Sequence, residues 1–356
     1  MRPDILNPLF AETETLEGVG PKLKKPLDKL GLSRHNLERL KGAIAQPYGI
    51  FFVCGPTGSG KTTILLAVAG LLPISKGSIK SPMWCASSKN QIPTEERNVG
   101  MVFQDFALFP HLTVAQNVGF RVKDSSKIDY WLNLLGIGDV KNEMPGRLSG
   151  GQKQRVALAR TLLHDPMYVL LDEPLSNLDA SLKESLRWEI REALKASGVS
   201  AIWVTHDQQE AMSVGDKIGV LDSGKLIQLD RPQNCFDEPQ NKFVAKFLGE
   251  ASFLPAKLDN DVAQTNLGRV RIKPNVKNNK NVSVLTRPWD FSLEVTADNN
   301  GKICWVHYEG SSNLSSVILN EGNEILVRTH SHLEISAGDQ VKITLKDNKR
   351  FVAFSS

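Results

Sequence analysis

The sequence predicts an α/β fold built on buried parallel strands, followed by a smaller all-β domain. A glycine-rich stretch, residues 55–63, lies between an apolar run and a second apolar stretch suited to a packed helix. Further short apolar runs downstream end in polar residues, which is the pattern of buried parallel strands. Residues 250–356 instead alternate apolar and polar positions, as strands with one buried face do.

The glycine-rich stretch matches the pattern of a phosphate-binding loop, G-x-x-x-x-G-K-[ST], which is typical of a P-loop NTPase core. Its glycines let backbone N–H groups point at an anion, and the helix N-terminus adds a partial positive charge. Lys61 is expected to reach the β- and γ-phosphates, and the Thr62 hydroxyl to ligate Mg²⁺. The expected nucleotide-binding residues of this loop are Gly55, Pro56, Thr57, Gly58, Ser59, Gly60, Lys61, Thr62 and Thr63.

Length, net charge and cysteine spacing exclude several classes of function. A chain of 356 residues has room for two or three domains, and its net charge of +4 is too small for a nucleic-acid-binding face, so no nucleic acid partner is expected. The four cysteines are scattered without a C-x-x-C pair, which favours a reduced cytosolic protein over a disulfide or zinc framework. No apolar stretch approaches the roughly 20 residues of a membrane span, so any membrane role would come through a partner.

Residues 1–47 form the least typical part of the chain. A turn at Gly18 and Gly20, a helix from about Pro21 and a second helix capped by Ser33 predict a short helical N-terminal segment. Hairpins of this kind often bind the DNA backbone, and a small helical surface segment is the alternative interpretation.

Two motifs between residues 99 and 152 follow the loop. Gln104 ends an apolar strand, and is interpreted as a Mg²⁺ ligand and a sensor of the γ-phosphate, with a mere strand terminator as the alternative. Leu148–Gln152 opens a helix that Ser149 can cap, and Gly150 and Gly151 leave its first amides bare. This predicts a second anion-binding helix start, with an ordinary capped helix as the alternative.

Polar side chains at the ends of two later strands carry the expected catalysis. Asp172 and Glu173 end the apolar run 168–172, where Asp172 would orient the Mg²⁺ shell and Glu173 would polarise an attacking water. His206 ends the strand 201–205 and is expected to contact the γ-phosphate, since ligands of α/β folds bind at strand ends. Solvated turn residues are the alternative for the two acids, and a purely structural histidine is the alternative for His206.

The region after Gly249 predicts a separate domain. Several short alternating strands indicate a small β-barrel. Its cysteine and histidines match no closed zinc pattern. The predicted domains are 1–47, a helical N-terminal segment; 48–249, an ATPase domain; and 250–356, the β-barrel.

In order and spacing, the motifs resemble those of ABC transporter ATPases. The matching elements are the phosphate loop Gly55–Thr63, the Q-loop Gln104, the signature Leu148–Gln152, the Walker B pair Asp172 and Glu173, the D-loop Ser176–Asp179 and the switch His206. The resemblance covers about residues 60–356 and is greatest to ATP-binding subunits of bacterial importers with a C-terminal OB-like regulatory domain. It implies a helical subdomain in the ATPase core. From Gly249 onward the chain is most similar to ferric-iron importers.

The resemblance implies a mechanism that uses ATP and Mg²⁺ in a head-to-tail pair of identical chains. ATP held by one phosphate loop would meet Ser149, Gly150 and Gly151 of the other chain. Gln152 and Asp179 are further expected nucleotide-binding residues. Glu173 and His206 would be catalytic, and Thr62, Gln104 and Asp172 would hold the metal. Residues 104–111 would pass the motion to membrane permease subunits, and through them to an extracytoplasmic solute-binding protein. The chain would then be peripheral, on the cytoplasmic side of the inner membrane.

The N-terminal part of the chain, before the phosphate loop, departs from this family. Family members carry an adenine-stacking aromatic roughly thirty positions before the loop, whereas residues 11–47 contain no Phe, Tyr or Trp. Residues 1–31 resemble the start of a branch-migrating DNA helicase, and residues 36–63 resemble a secretion- or pilus-type ATPase. Loss of stacking would cost about 1–3 kcal/mol of ATP binding. The alternatives are therefore a P-loop ATPase acting on DNA, a secretion motor, or an ABC-like protein with impaired ATP binding.

Overall fold

The computed structural model describes residues 49–274, 280–346 and 349–355. The predicted helical segment 1–47 and the start of the ATPase domain at residue 48 lie outside the described residues. The chain divides into two compact units, one ending at Gln233 and the other beginning at Asn234. Among the helices of the described residues, none combines the length and apolar character needed to cross a bilayer.

A six-stranded sheet forms the centre of the first unit, in the order β4-β5-β6-β1-β7-β8. All neighbours are parallel except β7 and β8, and β2 pairs with β3 in a separate two-stranded sheet. Strands β1, β5 and β6 are buried throughout, which explains their continuous apolar sequences. The strands are β1 (Ile50–Cys54), β2 (Ser78–Lys80), β3 (Cys85–Ser87), β4 (Val99–Val102), β5 (Tyr168–Asp172), β6 (Ser200–Thr205), β7 (Lys217–Asp222) and β8 (Lys225–Asp230).

Among the described residues, six α-helices lie between β1 and β8 in the chain and accompany this sheet. Three of them lie between β4 and β5 in the chain and pack on one another, which provides the expected helical subdomain. The N-terminal ends follow ordinary capping rules, since Thr113, Asp124 and Asp207 each accept backbone N–H bonds at a helix start. The helices are α1 (Lys61–Ala69), α2 (Val114–Val118), α3 (Ser125–Leu134), α4 (Gly150–Leu163), α5 (Ala180–Ser197) and α6 (Gln208–Val214).

The carboxyl ends of four neighbouring strands share one edge of the sheet. Val102 pairs with Leu171, Asp172 with Val204, and Cys54 with Thr205. Neighbouring strands are about 4.8 Å apart, so the four ends span roughly 14 Å. The segments that follow them begin at residues 55, 103, 173 and 206, and they carry most of the predicted functional side chains.

A buried cation stabilises the C-terminal end of α1. Arg97 is 1% exposed, and its Nη1 donates to the carbonyl oxygens of Ala67 (2.7 Å) and Val68 (2.9 Å). These carbonyls belong to the last turn of α1, where helical partners are lacking and a positive charge is favourable. The guanidinium also lies over the Trp84 ring, 5.0 Å from its centroid. Arg97 therefore joins the helix of the phosphate loop to the start of β4.

Replacing Arg97 by Met is expected to lower the free energy of unfolding by about 2–4 kcal/mol, because buried carbonyls lose charged donors. Urea titration followed by circular dichroism measures the change. Arg147→Met is the matched control, since Arg147 makes an exposed i,i+4 pair with Glu143 worth about 0.5 kcal/mol or less. Equal losses in the two variants would contradict the assignment.

The second unit is antiparallel β structure, which confirms the predicted all-β character. Its strands form two five-stranded sheets, β11-β10-β9-β12-β18 and β13-β17-β14-β15-β16, that share one apolar core. The elements are α7 (Pro232–Asp237), which crosses the division between the units, α8 (Lys242–Phe247), β9 (Ser252–Asp259), β10 (Val262–Thr265), β11 (Gly268–Arg271), β12 (Asn281–Thr286), β13 (Phe291–Val295), β14 (Gly301–Tyr308), β15 (Ser312–Leu319), β16 (Glu324–His330), β17 (Gln340–Leu345) and β18 (Ala353–Ser355).

One arginine explains why residues 234–249 group with these strands. The buried Arg287 follows β12, and its Nη1 donates to the carbonyls of Ala245 (2.9 Å) and Gly249 (3.1 Å). Its Nη2 donates to the Phe236 carbonyl at 3.2 Å. The division of compact units therefore precedes the boundary expected at residue 249, and the functional domain ranges stay predictions.

Candidate active site

The phosphate loop needs glycine for two different reasons. Gly60, the residue before α1, has φ 96°, a left-handed conformation that side chains disfavour. Gly55 has an ordinary φ, but a Cβ there would lie 2.2 Å from the Leu221 carbonyl oxygen of β7. The loop therefore curls tightly against the neighbouring strand, and its sequence pattern reflects this geometry.

Several hydrogen-bond donors converge in this loop. The Lys61 ammonium is 5% exposed and donates to the carbonyls of Gly55 (2.7 Å) and Pro56 (3.0 Å). The buried Ser59 hydroxyl has no hydrogen-bond partner among the described residues. The first three N–H groups of α1 also precede the first intrahelical bond, which Ile64 donates to the Gly60 carbonyl at 3.1 Å. Burial lowers the pKa of Lys61, while Glu173 and other nearby groups raise it. An anionic ligand bound in the loop would stabilise the buried ammonium, because a nearby negative charge favours its charged form.

Two of the three predicted metal ligands are in contact. The Thr62 hydroxyl donates to Oδ1 of Asp172 at 3.0 Å. Burial raises the pKa of Asp172, the bond from Thr62 opposes this change, and the Glu173 charge adds to it. A bound cation would reverse the effect, because a nearby positive charge favours the carboxylate.

The oxygen donor set fits Mg²⁺, which is bound in proteins by one or two carboxylates together with substrate phosphates. Across the described residues, no group of three or more His, Cys, Asp or Glu side chains forms a metal site on its own. Thr62 and Asp172 would therefore hold the metal jointly with the triphosphate.

The third predicted ligand, Gln104, has no hydrogen bond to Thr62 or Asp172 in the described chain. Its side chain is exposed, and its carbonyl accepts a hydrogen bond from Asn177 Nδ2 at 3.1 Å. Gln104 follows β4, and Asp172 ends the adjacent strand β5. The structure thus places Gln104 at the correct sheet edge, and its role as a ligand stays a prediction.

The two predicted catalytic residues form a pair. Oε2 of Glu173 lies 2.9 Å from Nδ1 of His206, across the ends of β5 and β6. Glu173 has φ 45°, an uncommon conformation for a side chain of its type. Its N–H donates to the Val204 carbonyl at 3.0 Å, which keeps the backbone in this conformation. Strain of this kind clusters at active sites, and here it orients the carboxylate toward the histidine.

The predicted second anion site is a capped helix start. Ser149 Oγ accepts a hydrogen bond from the Gln152 N–H (3.3 Å), and Gln152 Oε1 accepts one from the Ser149 N–H (2.9 Å). Ser149 is exposed, and its hydroxyl proton remains available. A Cβ at Gly150 would lie 2.6 Å from Leu178 Cδ2, so α4 begins close against the segment before α5.

These two anion sites are not joined within one chain. Over residues 49–274, no hydrogen bond or salt bridge connects Ser149–Gln152 with Gly55–Thr63. Asp179 is also exposed, and as the residue before α5 it makes no side-chain capping bond. The structure thus brings together the loop, Asp172, Glu173 and His206, but shows no hydrogen bond or salt bridge from Ser149, Gly150, Gly151, Gln152 or Asp179 to the loop.

Several arginines near the site were not identified as functional from sequence. Arg160 of α4 donates to the carbonyls of Ala107 (2.8 Å) and Phe106 (3.2 Å), just after Gln104. Phe106 and Ala107 both have left-handed backbone, with φ 66° and 45°. Every residue has a backbone carbonyl, so the sequence cannot identify these acceptors. Only the structure shows that α4 stabilises this loop. The sequence could have indicated Arg187, because a charged residue there interrupts the apolar face of α5 beside Leu186 and Ile190.

Comparisons with known proteins agree with this geometry. The family model described as "ABC transporter" matches residues 45–176. The chain is similar to the Fe(3+) ions import ATP-binding protein FbpC 2 of Haemophilus influenzae, 37% identical over 311 residues that cover 83% of this chain and 87% of that protein. The Fusobacterium nucleatum Fe(3+) ions import ATP-binding protein FbpC is 37% identical over 307 residues, covering 82% and 78%.

A further relative carries a different substrate name. The spermidine/putrescine import ATP-binding protein PotA of Pseudomonas fluorescens is 36% identical over 300 residues, covering 79% of this chain and 82% of that protein. All three relatives are matched over more than two thirds of their length. With its phosphate loop, Walker B pair and switch histidine assembled at one sheet edge, the chain belongs to the ATP-binding proteins of the ABC transporter family and is an ATPase.

Proposed function

We propose that this chain is the ATP-hydrolysing subunit of an importer and that its solute is ferric iron. The observation that carries the proposal is the contiguous arrangement of Lys61, the Thr62–Asp172 pair and the Glu173–His206 pair at one sheet edge. The similarity to two Fe(3+) ions import ATP-binding proteins favours iron. Spermidine or putrescine is the second candidate solute, favoured by the PotA relative.

The residues divide the chemistry between them. Lys61 and the free N–H groups of α1 would bind the phosphates, while Thr62 and Asp172 would hold Mg²⁺. Bound Mg²⁺ would neutralise charge on the phosphate oxygens. Glu173 would accept the proton of the attacking water, and His206, hydrogen-bonded to it, would orient that carboxylate and contact the γ-phosphate.

A second copy of the chain would complete the site. Ser149 and Asp179 are exposed, and among the described residues no hydrogen bond or salt bridge joins them, or Gly150, Gly151 and Gln152, to the chain's own loop. A two-fold pair in head-to-tail orientation would place each α4 N-terminus against the other copy's ATP, so that two ATP molecules are buried together. ATP would drive this association because it binds the closed pair more tightly than the separate chains.

The loop after Gln104 would transmit this motion to membrane permease subunits. Asn117 is fully buried, and its side chain makes four hydrogen bonds to the backbone of residues 109–113. Arg160 adds two bonds to the same loop from α4. A loop stabilised in this way is suited to transmit a displacement. The permease and its extracytoplasmic solute-binding protein would place this chain on the cytoplasmic face of the inner membrane.

Solute uptake by intact cells tests the proposal. The chain is expressed in a host whose own ferric-import ATPase subunit has been deleted, and uptake of radioactive ferric iron and radioactive spermidine is measured in parallel. Restored iron uptake, absent with Glu173→Gln, supports iron, whereas restored spermidine uptake supports the second candidate. Purified chain that hydrolyses ATP but restores neither solute contradicts both assignments of solute.

A further inference from the structure

Helix α5 carries two arginines on the face that it turns toward α6. Arg187 and Arg191 lie one turn apart, on the side of the helix that also buries Leu186, Ile190 and Leu194. Arg187 is 7% exposed, which is rare for an arginine unless it is paired. A cation placed in an apolar helix face therefore requires an explanation from its partners.

The partner of Arg187 is the N-terminal cap of α6. Its Nη2 lies 3.9 Å from Oδ2 of Asp207, and its Nη1 donates to the Ser213 hydroxyl at 3.4 Å. The other carboxylate oxygen of Asp207 accepts N–H bonds from Gln209 (2.8 Å) and Glu210 (3.3 Å), so one side chain both caps α6 and faces Arg187.

Arg191 holds the opposite end of the same short helix. Its Nη1 donates to the Val214 carbonyl at 2.5 Å, and its Nη2 lies 3.6 Å from Oδ1 of Asp216. Asp216 Oδ2 in turn accepts the Ile50 N–H at the start of β1, at 2.9 Å. Two arginines of one helix therefore fix both ends of α6, and one end is also tied to the strand that leads into the phosphate loop.

His206 immediately precedes Asp207, the residue that caps α6. The Asp207 N–H donates to the Thr205 hydroxyl at 3.0 Å, so residues 205–207 form a fixed turn with His206 at its centre. The His206 imidazole is half exposed, and within the described part of the chain its hydrogen bond is to Glu173 alone. Its position therefore depends on the backbone of this turn, and through Asp207 on Arg187.

We propose that Arg187 is a positioning residue for ATP hydrolysis, which holds His206 against Glu173 through Asp207. The same helix begins after Asp179, two turns before Arg187, so α5 links the segment expected to face the second copy with the catalytic pair. Arrival of the second copy at Asp179 would then reach His206 through a single rigid helix rather than through a flexible loop. This inference rests on the proposed roles of Glu173 and His206.

Acidic side chains near Arg187 explain how its charge is compensated. Glu210 is buried near Arg187, and burial raises the pKa of its carboxyl group, while Arg187 and Lys183 lower it. Arg187 therefore faces two acidic side chains, Asp207 and Glu210. Removing the cation would take this positive charge away from Glu210, which is buried, and from Asp207, which is partly exposed, so the turn is expected to move.

A double-mutant cycle tests the proposal on the full chain. Arg187→Met removes the cation and keeps the length of the side chain, whereas Asp207→Asn removes the charge and keeps an oxygen that caps α6. Each single variant is expected to lower kcat about ten-fold and to leave the KM for ATP within about two-fold, because the phosphate loop is untouched. The double variant is expected to match the single variants rather than multiply their losses, since both break the same link.

The controls separate positioning from folding. ATP-binding stoichiometry by calorimetry gives the folded fraction, and kcat is expressed per bound ATP. Arg187→Lys, which keeps a cation, is expected to recover part of the loss, and the exposed Lys195→Ala on the same helix to cause none. Losses that multiply in the double variant, or a normal kcat per bound ATP in Arg187→Met, would overturn the inference. If the parent itself shows no Glu173-dependent hydrolysis, the proposed roles fail instead.

Discussion

Replacing Glu173 by Gln is expected to lower ATP turnover by a factor of about 10²–10⁴, the usual contribution of a general base. The amide has nearly the same shape as the carboxylate, so it can keep the contact with His206 Nδ1, now 2.9 Å from Oε2. It cannot accept the proton of a water molecule. ATP binding should persist, because the loop donors around Lys61 are unchanged.

Steady-state ATPase assays with Mg²⁺ measure this effect, and size-exclusion chromatography with ATP measures association. Glu192→Gln is the matched control, because Glu192 is an exposed carboxylate of α5 away from the strand ends. The Glu173 variant is expected to remain associated in the presence of ATP, since the step that separates the pair is blocked. A variant that retains more than about a tenth of the parent's turnover would show that another group is the base.

Replacing Lys61 by Ala is expected to weaken ATP binding by roughly 10²-fold, about 3 kcal/mol. Charge-assisted hydrogen bonds to phosphate are strong, but Lys61 gives up its two bonds to the Gly55 and Pro56 carbonyls when it turns toward ATP. The net loss is therefore smaller than the sum of the new bonds.

Calorimetric titration with ATP measures the affinity, and the exposed Lys89→Ala is the control for loss of one positive charge. A second measurement is ATP hydrolysis by a mixture of two variants. Lys61→Ala and Ser149→Arg should each be inactive alone, yet an equal mixture should hydrolyse ATP, because a mixed pair contains one intact composite site. An unchanged affinity in the Lys61 variant would contradict the assignment of the loop.

The parts of the site that could be predicted from sequence are those encoded by local patterns. An apolar run ending in Asp172 and Glu173 specifies a strand and the residues beyond it, and parallel strands bring their ends to one edge. The left-handed backbone of Glu173 could not be predicted, because it depends on a hydrogen bond to Val204 on the next strand.

Long-range contacts to carbonyl groups limit the prediction most. Arg97 and Arg160 bond to backbone oxygens, 30 and 53 residues away in sequence, and any residue type can supply such an acceptor. In the second unit, alternation predicted strands but not their partition between two sheets. The register of β14 against β15 shifts between Ile303 and Trp305, and the alternating pattern did not predict this shift.

The place of β1 at the middle of the sheet also affects biosynthesis. It is the first described strand, yet its two neighbours, β6 and β7, come about 150 residues later in the chain. At about 5–20 residues per second, β1 waits roughly 8–30 s on the ribosome before either neighbour exists. Throughout that interval the phosphate-binding sequence has been synthesised without the sheet that shapes it, and a wholly apolar strand stays unpaired. The most recognisable motif of the chain therefore becomes functional only after β6 and β7 have been made, and its strand is exposed to aggregation until then.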